Sequence, residues 1–313
     1  MKLDCNNWGS VHVASPQREG KPAGVTRRHL LAGAAGLAGL AASTTAVYAG
    51  AIEPQGLIVT RYAPSPDAWP AGQKLTITVI ADLHAGGPDM QLPHVREVID
   101  RANALNSDLI VLLGDFVAWY RFPYVRVPDP LWAAELKRLK APLGTWAILG
   151  NHDWWHDLVG VRRALAGVDI PLLENDAVLL GPPGRKFWLA GIGDQLAYPL
   201  GRGRFFGVDD LPWTMTKITN ADPVVLLVHE PDIFPRVPAR VALTLAGHTH
   251  GGQIRLPLIW PAFVPSKYWA RYAYGHVVER DRHLIVSGGL GTSVVPARLG
   301  VPPEIVHVTL GGS

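Results

Sequence analysis

The chain has 313 residues, of which 48% are hydrophobic, and this is enough apolar material for one large core or two small ones. Such a composition excludes a disordered or fibrous protein. The net charge of +3, from 29 basic and 26 acidic residues, comes without the runs of Lys and Arg that nucleic-acid-binding tails show, so nucleic acid is not an indicated partner. Nothing in these numbers predicts an oligomeric state.

The first 49 residues have the order of an export signal. Arg27 and Arg28 precede an Ala, Gly and Leu stretch at 30–42 that contains no polar residue, and small residues up to Ala49 follow. The pair of arginines is typical of a twin-arginine signal, whereas the apolar run is short and Gly-rich for a membrane span of about 20 residues. We therefore expect export by the twin-arginine machinery, with the segment cleaved or retained as an anchor. The expected location is the periplasm or the outer face of the cytoplasmic membrane. The single cysteine, Cys5, lies in this segment.

The rest of the chain is predicted to be a lead-in segment, 50–73, rich in Pro and Gly, followed by one domain, 74–313. In the first half of that domain, apolar strands alternate with helical patterns; the strands are at 75–81, 109–113 and 145–149, and the helices at 92–105 and 131–139. The second half adds apolar runs at 187–192, 224–228, 241–246, 284–286 and 305–310. This alternation predicts an α/β fold, and the number of strands suits two sheets flanked by helices.

Residue types that bind metal ions follow five of the predicted strands, at the point where each strand ends. They are Asp82 with His84, Asp115, Asn151 with His152, His229, and His248 with His250. Because ligands bind at the carboxyl ends of the strands in open α/β sheets, we expect these side chains to meet at one place. Two divalent cations a few ångströms apart need such a set, with neutral imidazoles and a carboxylate able to bridge the ions.

Charge and backbone arguments agree with a metal site for phosphate. Asp82 and Asp115 would offset only part of the charge of two cations, which leaves the site attractive to an anionic phosphate. Glycines precede the ligands at 114, 150 and 247, where each would let the backbone turn sharply off its strand. The other histidines are interpreted as ordinary polar residues, and His156 is expected to begin a helix.

The motifs ADLH, GD, GNHD, VHE and GHTH, in that order from Asp82 to His250, resemble the motif series of the calcineurin-like metallophosphoesterases. The resemblance implies a four-layer α-β-β-α sandwich and two divalent metal ions, for which Mn, Fe and Zn are all acceptable. It implies that one ion is bound by Asp82, His84, Asp115 and His250, and the second by Asp115, Asn151, His229 and His248. A water or hydroxide between the ions is the implied nucleophile.

The same resemblance implies roles for two further residues. His152 would contact the phosphate and assist the leaving group, and Asp153 would orient the His152 ring. The segments LAGHTHGGQIRLP, GGLGTS and PARLGVPPEI look like a branch of bacterial exported phosphodiesterases that includes relatives acting on UDP-diacylglucosamine. Ala118 stands where purple acid phosphatases have Tyr, and GDFVAWYR departs from the GDxxDRG motif of the protein Ser/Thr phosphatases.

The substrate is less well defined by the sequence than the reaction is. Aromatic residues follow the motifs, at Trp119, Tyr120, Phe122, Tyr124, Trp132, Trp154, Trp155, Trp260, Phe263, Tyr268, Trp269, Tyr272 and Tyr274. They could bind an acyl chain, stack a base, seat the protein on a membrane, or only pack a loop layer. Basic residues that could contact phosphate are Arg121, Arg126, Arg255, Lys267, Arg271 and Arg298.

We expect a phosphodiesterase that acts on a small-molecule or lipid-linked phosphoester, such as a nucleotide-lipid. The alternatives are a phosphomonoesterase and an extracellular nuclease, and the modest net charge disfavours the nuclease. A non-catalytic scaffold would be expected to have lost metal ligands or His152, and none of these is missing.

Overall fold

The computed structural model describes residues 27–255 and 263–312. The described residues belong to two units, and the division between them lies between Thr45 and Ala46. The candidate site, both large sheets and most helices belong to the second unit.

The first described element is the helix α1, Arg27–Val47. A short π-helix, Tyr48–Ile52, and a 3₁₀ turn, Glu53–Gln55, follow it directly. This stretch of 29 residues has a mean hydropathy of 1.6, so by length and composition it could cross a membrane. A signal sequence close to the N-terminus passes the same test. The helix is longer than the apolar run at 30–42 suggested, because the small residues after that run are also helical.

The second unit contains both strands and helices in its described residues. Its strands are β1 (Ile58–Tyr62), β2 (Leu75–Ile80), β3 (Leu109–Leu112), β4 (Thr145–Ala147), β5 (Asp176–Leu180), β6 (Phe187–Gly191), β7 (Tyr198–Gly201), β8 (Arg204–Phe206), β9 (Val224–Leu227), β10 (Val241–Ala246), β11 (Gly275–Glu279), β12 (Arg282–Val286) and β13 (Glu304–Leu310). Its helices are α2 (Leu92–Ala104), α3 (Asp129–Leu136), α4 (Asn151–His156), α5 (Leu158–Ala166) and α6 (Leu211–Thr216).

Two mixed sheets form the centre of this unit. The first has the strand order β1-β13-β2-β3-β4, with β2, β3 and β4 parallel, and the second has the order β11-β12-β10-β9-β6-β5, with β6, β9, β10 and β12 parallel. Parallel strands of this kind are buried on both faces, which is why they were visible as continuous apolar runs. The predicted α/β fold with two sheets flanked by helices is confirmed.

The layers follow from the alternation of side chains along each strand. In β3, Leu109 and Val111 point into a core shared with Leu227 and Leu245 of the second sheet, so the two sheets pack face to face. Ile110, on the opposite face of β3, joins a core with residues of α2, α3 and α5. Burial of each such aliphatic side chain stabilises the fold by about 1.5–3 kcal/mol.

Two expectations from the sequence need correction here. The segment 50–73, interpreted as a lead-in, contributes β1, which pairs in parallel with β13. It was missed because β1 is a half-exposed edge strand without a continuous apolar run. His156 ends α4 instead of starting a helix, because that helix already begins at Asn151.

Candidate metal centre

Nine buried polar side chains lie at the ends of five strands. They are Asp82 and His84 after β2, Asp115 after β3, Asn151, His152 and Asp153 after β4, His229 after β9, and His248 and His250 after β10. Five of them have a left-handed backbone, with φ from 44° to 70°, namely Asp82, His84, Asp115, His248 and His250. Each such residue costs of order 1–3 kcal/mol unless its surroundings enforce it, and strain of this kind concentrates at functional sites.

Close packing of backbone explains how the loops after β3 and β4 come together. Gly114 has φ 86°, and a Cβ added there would lie 2.3 Å from the amide nitrogen of Gly150. A Cβ on Gly150 would lie 2.3 Å from Oδ1 of Asp115. The two glycines therefore allow a contact that any larger residue would block, and this contact brings Asp115 next to the start of α4.

The carboxylate of Asp153 links the same two loops through hydrogen bonds. Its oxygens accept hydrogen bonds from the backbone N–H groups of Asp115 at 2.9 Å, Phe116 at 2.8 Å and Gly150 at 3.0 Å. These contacts differ from the sequence-based expectation, in which Asp153 orients the ring of His152. The short helix α4 points the two side chains in different directions, so Asp153 positions the loop that carries Asp115 instead.

One group of candidate ligands surrounds His84. Its Nε2 lies 3.1 Å from Nε2 of His250 and 3.5 Å from Oδ2 of Asp115. One ligand atom each of Asp82, His84 and His250 lie within 4.8 Å of one another. Asp82 is tied to the loop after β10, because its carboxylate accepts the backbone N–H of His248 at 2.9 Å.

A second group surrounds His229. Its Nε2 lies 3.3 Å from Oδ2 of Asp115 and 3.2 Å from Oδ1 of Asn151. Nδ1 of His248 lies 2.8 Å from the same Oδ1 of Asn151. The Oδ2 atom of Asp115 is thus close to an imidazole of each group, so this carboxylate lies between them.

The outer ring nitrogens of three imidazoles face backbone carbonyl oxygens. His84 Nδ1 lies 3.0 Å from the oxygen of Val117, His229 Nδ1 2.7 Å from that of Leu113, and His248 Nε2 2.9 Å from that of Pro265. A carbonyl can only accept, so each outer nitrogen carries the proton and the inner nitrogen presents its lone pair to the site. This is the arrangement that histidine ligands of metals adopt.

His250 is the exception among the four imidazoles. Its Nδ1 lies 3.3 Å from Nη2 of Arg298, which can only donate a hydrogen bond. Arg298 is fully buried and also donates to the backbone oxygens of Gly288 at 2.9 Å and Val301 at 3.0 Å. Burial lowers the pKa of Arg298 to about 10, so the guanidinium remains charged at neutral pH.

The electrostatics of the centre favour a cation. Burial lowers the pKa of His229, but Asp115, Glu230 and Asp82 together raise it well above its ordinary value. Burial alone would raise the pKa of Asp115, whereas the imidazoles of His229 and His152 hold it well below the usual range. Carboxylates that favour a positive charge on a buried imidazole also favour a metal cation beside them. Imidazole, carboxylate and amide donors together fit divalent transition metals, so these residues could hold such ions.

His152 differs from the neighbouring histidines. Its Nε2 lies 3.2 Å from Oγ of Ser293, and its Nδ1 is buried without a hydrogen-bond partner among the described residues. Burial lowers the pKa of His152 to about 3, so its ring is neutral at pH 7. A ligand atom of His152 also lies within 4.8 Å of those of His84 and Asp115, so the geometry alone allows it to bind a metal.

A cavity of about 440 Å³ opens onto these residues. Its polar lining includes Asp115, Asn151, His152 and His248, and its apolar lining includes Trp155, Ile254, Phe263, Val294 and Val295. Ser293, the last residue of the segment GGLGTS, also lines this cavity but was not predicted from the sequence to have a role. Its position in a Gly-rich loop directly after the buried strand β12 was the available signal.

The aromatic and basic residues proposed from the sequence differ in burial, in ion pairing and in whether they line the cavity. Trp132, Tyr120 and Tyr272 are buried in the fold and do not line the cavity. Arg126 pairs with Asp129 and Asp157, and Arg271 pairs with Glu279, so neither is a free phosphate contact. Trp155 and Phe263 do line the cavity, and Trp260 lies outside the described residues.

Comparison with known proteins identifies related sequences along most of the chain. The sequence profile of the calcineurin-like phosphoesterase family matches residues 75–252, which is more than half of the chain. The uncharacterized metallophosphoesterase YkuE of Bacillus subtilis is 30% identical over 296 residues, which cover 91% of this chain and 98% of that protein.

The names of two further relatives indicate an activity or a location. The phosphodiesterase YaeI of Escherichia coli is 30% identical over 243 residues, covering 75% of this chain and 81% of that protein. A transmembrane protein with a metallophosphoesterase domain from Danio rerio is 28% identical over 247 residues, covering 75% of this chain. This match spans 53% of the Danio rerio protein, about half its length.

Proposed function

Since the chain belongs to the calcineurin-like phosphoesterase family, it is a metal-dependent phosphoesterase, and we propose that it hydrolyses a phosphodiester with the help of two divalent metal ions. The observation that carries the proposal is the position of Asp115. Its Oδ2 lies 3.5 Å from His84 Nε2 and 3.3 Å from His229 Nε2, so one carboxylate can serve both groups of ligands.

In this proposal, the ligand sets are those implied by the motif series. Asp82, His84, Asp115 and His250 bind one ion, and Asp115, Asn151, His229 and His248 bind the other. Bound there, two cations would lower the pKa of a water molecule towards neutrality and would balance the charge of the phosphate. The side chains are held in place before substrate binds by the carbonyl oxygens behind three imidazoles and by Asp153 beneath Asp115.

His152 is assigned a hydrogen-bonding role towards the substrate. Because burial lowers its pKa to about 3, the ring is neutral at pH 7 and can donate one N–H bond to a phosphoryl or leaving-group oxygen. Ser293, whose hydroxyl lies 3.2 Å from Nε2 of His152, orients the ring from the side of the cavity. Asp153 holds the backbone of the loop and has no direct part in the reaction.

The substrate we favour is a phosphodiester with an apolar substituent, such as a lipid-linked or nucleotide-lipid compound. Two observations support it: Trp155, Phe263 and Val294 line the same cavity as the candidate ligands, and the E. coli relative is named a phosphodiesterase. These apolar side chains would contact a hydrocarbon chain while the polar residues of the cavity hold the phosphate.

We also propose that the protein is exported by the twin-arginine route and works in the periplasm or at the outer face of the cytoplasmic membrane. Arg27 and Arg28 at the start of the apolar helix α1 support this location. A relative from Danio rerio is named a transmembrane protein, which is consistent with membrane association.

The decisive experiment compares the wild type with His152→Ala, using His307→Ala on β13 as a matched control. Elemental analysis is expected to find two transition-metal ions per chain in all three proteins. Steady-state kinetics on bis(p-nitrophenyl) phosphate should show that kcat of His152→Ala is lower by about 10²–10³-fold, because one donor to the developing charge is lost. The control should keep the wild-type kcat.

Four results would contradict parts of this proposal. Full activity of His152→Ala would remove the role given to His152, and loss of metal from that variant would make His152 a ligand. Faster hydrolysis of p-nitrophenyl phosphate than of the diester would instead favour a phosphomonoesterase. Fewer than two ions per active chain would contradict the pair of metals.

A further inference from the structure

The β7–β8 hairpin is a small antiparallel sheet that is separate from the two large sheets. All residues of both strands are exposed, in contrast to the buried strands of the rest of the unit. Its large apolar side chains have high exposed fractions, 57% for Leu200, 61% for Phe206 and 49% for Tyr198. Clusters of exposed apolar side chains such as this mark binding surfaces on soluble domains.

The charge of the hairpin has one sign only. Between Gln195 and Val208 the charged residues are Arg202 and Arg204, and there is no Asp or Glu. Arg202 is in the turn and has φ 53°, between two glycines that also have positive φ. Neither arginine forms an ion pair within residues 27–255 and 263–312, so two cationic groups and several apolar side chains face the same solvent.

The hairpin is fixed next to the cavity by two tryptophans of α4. The ring of Trp155 stacks on Phe205 with centroids 5.5 Å apart, and its Nε1 donates to the oxygen of Leu196 at 2.8 Å. Trp154 makes an edge contact with Tyr198 at 5.2 Å. Trp155 also lines the cavity, and its ring lies 5.5 Å from that of His152. A surface that binds the hairpin therefore comes close to the mouth of the site.

We propose that the β7–β8 hairpin is a docking surface for anionic phospholipid headgroups. Aromatic and aliphatic side chains beside arginines are the combination that settles at a membrane interface, where the rings enter the headgroup region and the guanidinium groups reach lipid phosphates. Arg202 and Arg204 have no ion-pair partner in the described part of the chain, and these two cations complement an anionic lipid surface. The backbone of the tip needs no partner strand, because β7 and β8 pair with each other.

This proposal rests on the membrane location proposed for the chain and assigns that contact to particular residues. The apolar helix α1, which by length and composition could cross a membrane, is the feature outside the hairpin that favours lipid over a protein partner. Docking of the hairpin would hold the site close to the headgroups, where an ester of a membrane lipid is found. The docking proposal makes no assumption about the metal ions, so its test can succeed or fail independently of the catalytic experiment.

The test places an environment-sensitive fluorophore on the hairpin of the full chain. Cys5 is replaced by Ser, Leu200→Cys is labelled, and the protein is mixed with vesicles of phosphatidylcholine alone or of an equimolar mixture with phosphatidylglycerol. Nitroxide-labelled lipid in the same vesicles quenches a fluorophore that enters the headgroup region. The control carries its label at Val278→Cys on β11, which is similarly exposed at 52%.

We expect quenching and a blue shift for the label at position 200 in the anionic vesicles, little change in phosphatidylcholine alone, and no change at position 278. Replacing Arg202 and Arg204 by Ala should reduce the ratio of docked to undocked hairpin about fivefold for each arginine removed. The exposed pair Arg185→Ala with Arg280→Ala should have no effect. Hydrolysis of soluble bis(p-nitrophenyl) phosphate should be unchanged by the hairpin variants.

Four results would overturn the proposal. The first is a label at position 200 that stays in water although the protein floats with the vesicles in a flotation assay. The second is a protein that does not float with anionic vesicles. Equal quenching in neutral and anionic vesicles would remove the role of the arginines. A blue-shifted label in the absence of vesicles would show that the hairpin packs against a second copy of the chain instead.

Discussion

The arrangement of the candidate metal centre depends on the side chain and the backbone conformation of Asp115. Its carboxylate lies between the two groups of candidate ligands, and its φ of 55° is left-handed. Asp153 compensates by accepting the backbone N–H groups of Asp115 and Phe116. The strain of this loop is thus offset by the hydrogen bonds that the buried carboxylate of Asp153 accepts from the loop backbone.

Gly114→Ala is expected to destabilise the protein by about 3 kcal/mol, because it combines a left-handed φ with a Cβ that meets backbone. That Cβ would lie 2.3 Å from the amide nitrogen of Gly150, which cannot move without displacing Asp115. Urea unfolding in the presence of a chelator measures the change without a contribution from bound metal. Titration with metal should then show weaker binding by the variant.

Gly184→Ala is the matched control for this prediction. Gly184 has a similar φ of 79°, but an added Cβ there would meet nothing within 4 Å, so the substitution should cost only the backbone strain of about 1 kcal/mol. If both variants lost the same stability, the contact between the loops after β3 and β4 would have no energetic importance.

A network of charged side chains lies where α2 contacts α3. Glu135 of α3 accepts from Nε of Arg96 at 2.7 Å and from Nη1 of Arg138 at 2.7 Å. Burial tends to raise the pKa of Glu135, but the two arginines more than offset it and lower the pKa below its ordinary value. The network therefore stabilises the fold while Glu135 is ionised.

Glu135→Gln should lower the free energy of unfolding by about 1 kcal/mol near neutral pH. Because the pKa of Glu135 is lower in the folded state, its contribution is complete above the unfolded pKa of 4.5 and disappears as the pH falls through the folded pKa. Wild type and variant should therefore become equally stable in acid. Unfolding by urea at several pH values measures this.

Glu97→Gln on α2 provides the comparison. Glu97 has only a 3.7 Å contact with Arg101, and both side chains are about half exposed, so this variant should change stability by a few tenths of a kcal/mol at most. An equal loss for Glu97→Gln and Glu135→Gln, or a loss for Glu135→Gln that persists in acid, would show that the network does not act through the charge of Glu135.

The elements that could be predicted from the sequence are those buried on both faces. β10 was predicted with its observed bounds, and β3 and β9 to within one residue, because parallel strands covered by helices and by a second sheet must be apolar throughout. The edge strand β1 and the hairpin β7–β8 were missed. Their residues are partly or fully exposed, so no continuous apolar run marks them. The pairing of β1 also depends on β13, which is distant in the chain.

For the whole molecule, the proposed route of export leads to a further prediction. Replacing Arg27 and Arg28 together by Lys keeps the charge of the segment but removes the arginine pair, so the protein should remain inside the cell. Fractionation of bacteria that produce the full chain, followed by immunoblotting, measures where the protein is found. The variant Arg185→Ala, far along the sequence in an exposed turn, should be exported like the wild type.

Export of the Lys variant at the wild-type level would contradict the twin-arginine assignment. It would not affect the proposed reaction, because the candidate metal ligands lie between residues 82 and 250, in the second unit. The size of the exported protein would also show whether the segment is cleaved or remains as an anchor.

The identity of the candidate ligands could be inferred from local sequence, since each follows directly after an apolar strand and parallel strands end at a common edge. The contacts of Asp153, the burial of Arg298 beneath His250 and the exposure of the β7–β8 hairpin could not be inferred in this way. Each of these features depends on segments that are distant in the chain and meet only when the sheets and loops have packed. Local patterns thus specify which groups could bind metal, and the folded arrangement specifies which neighbours orient them and which surface remains open to a partner.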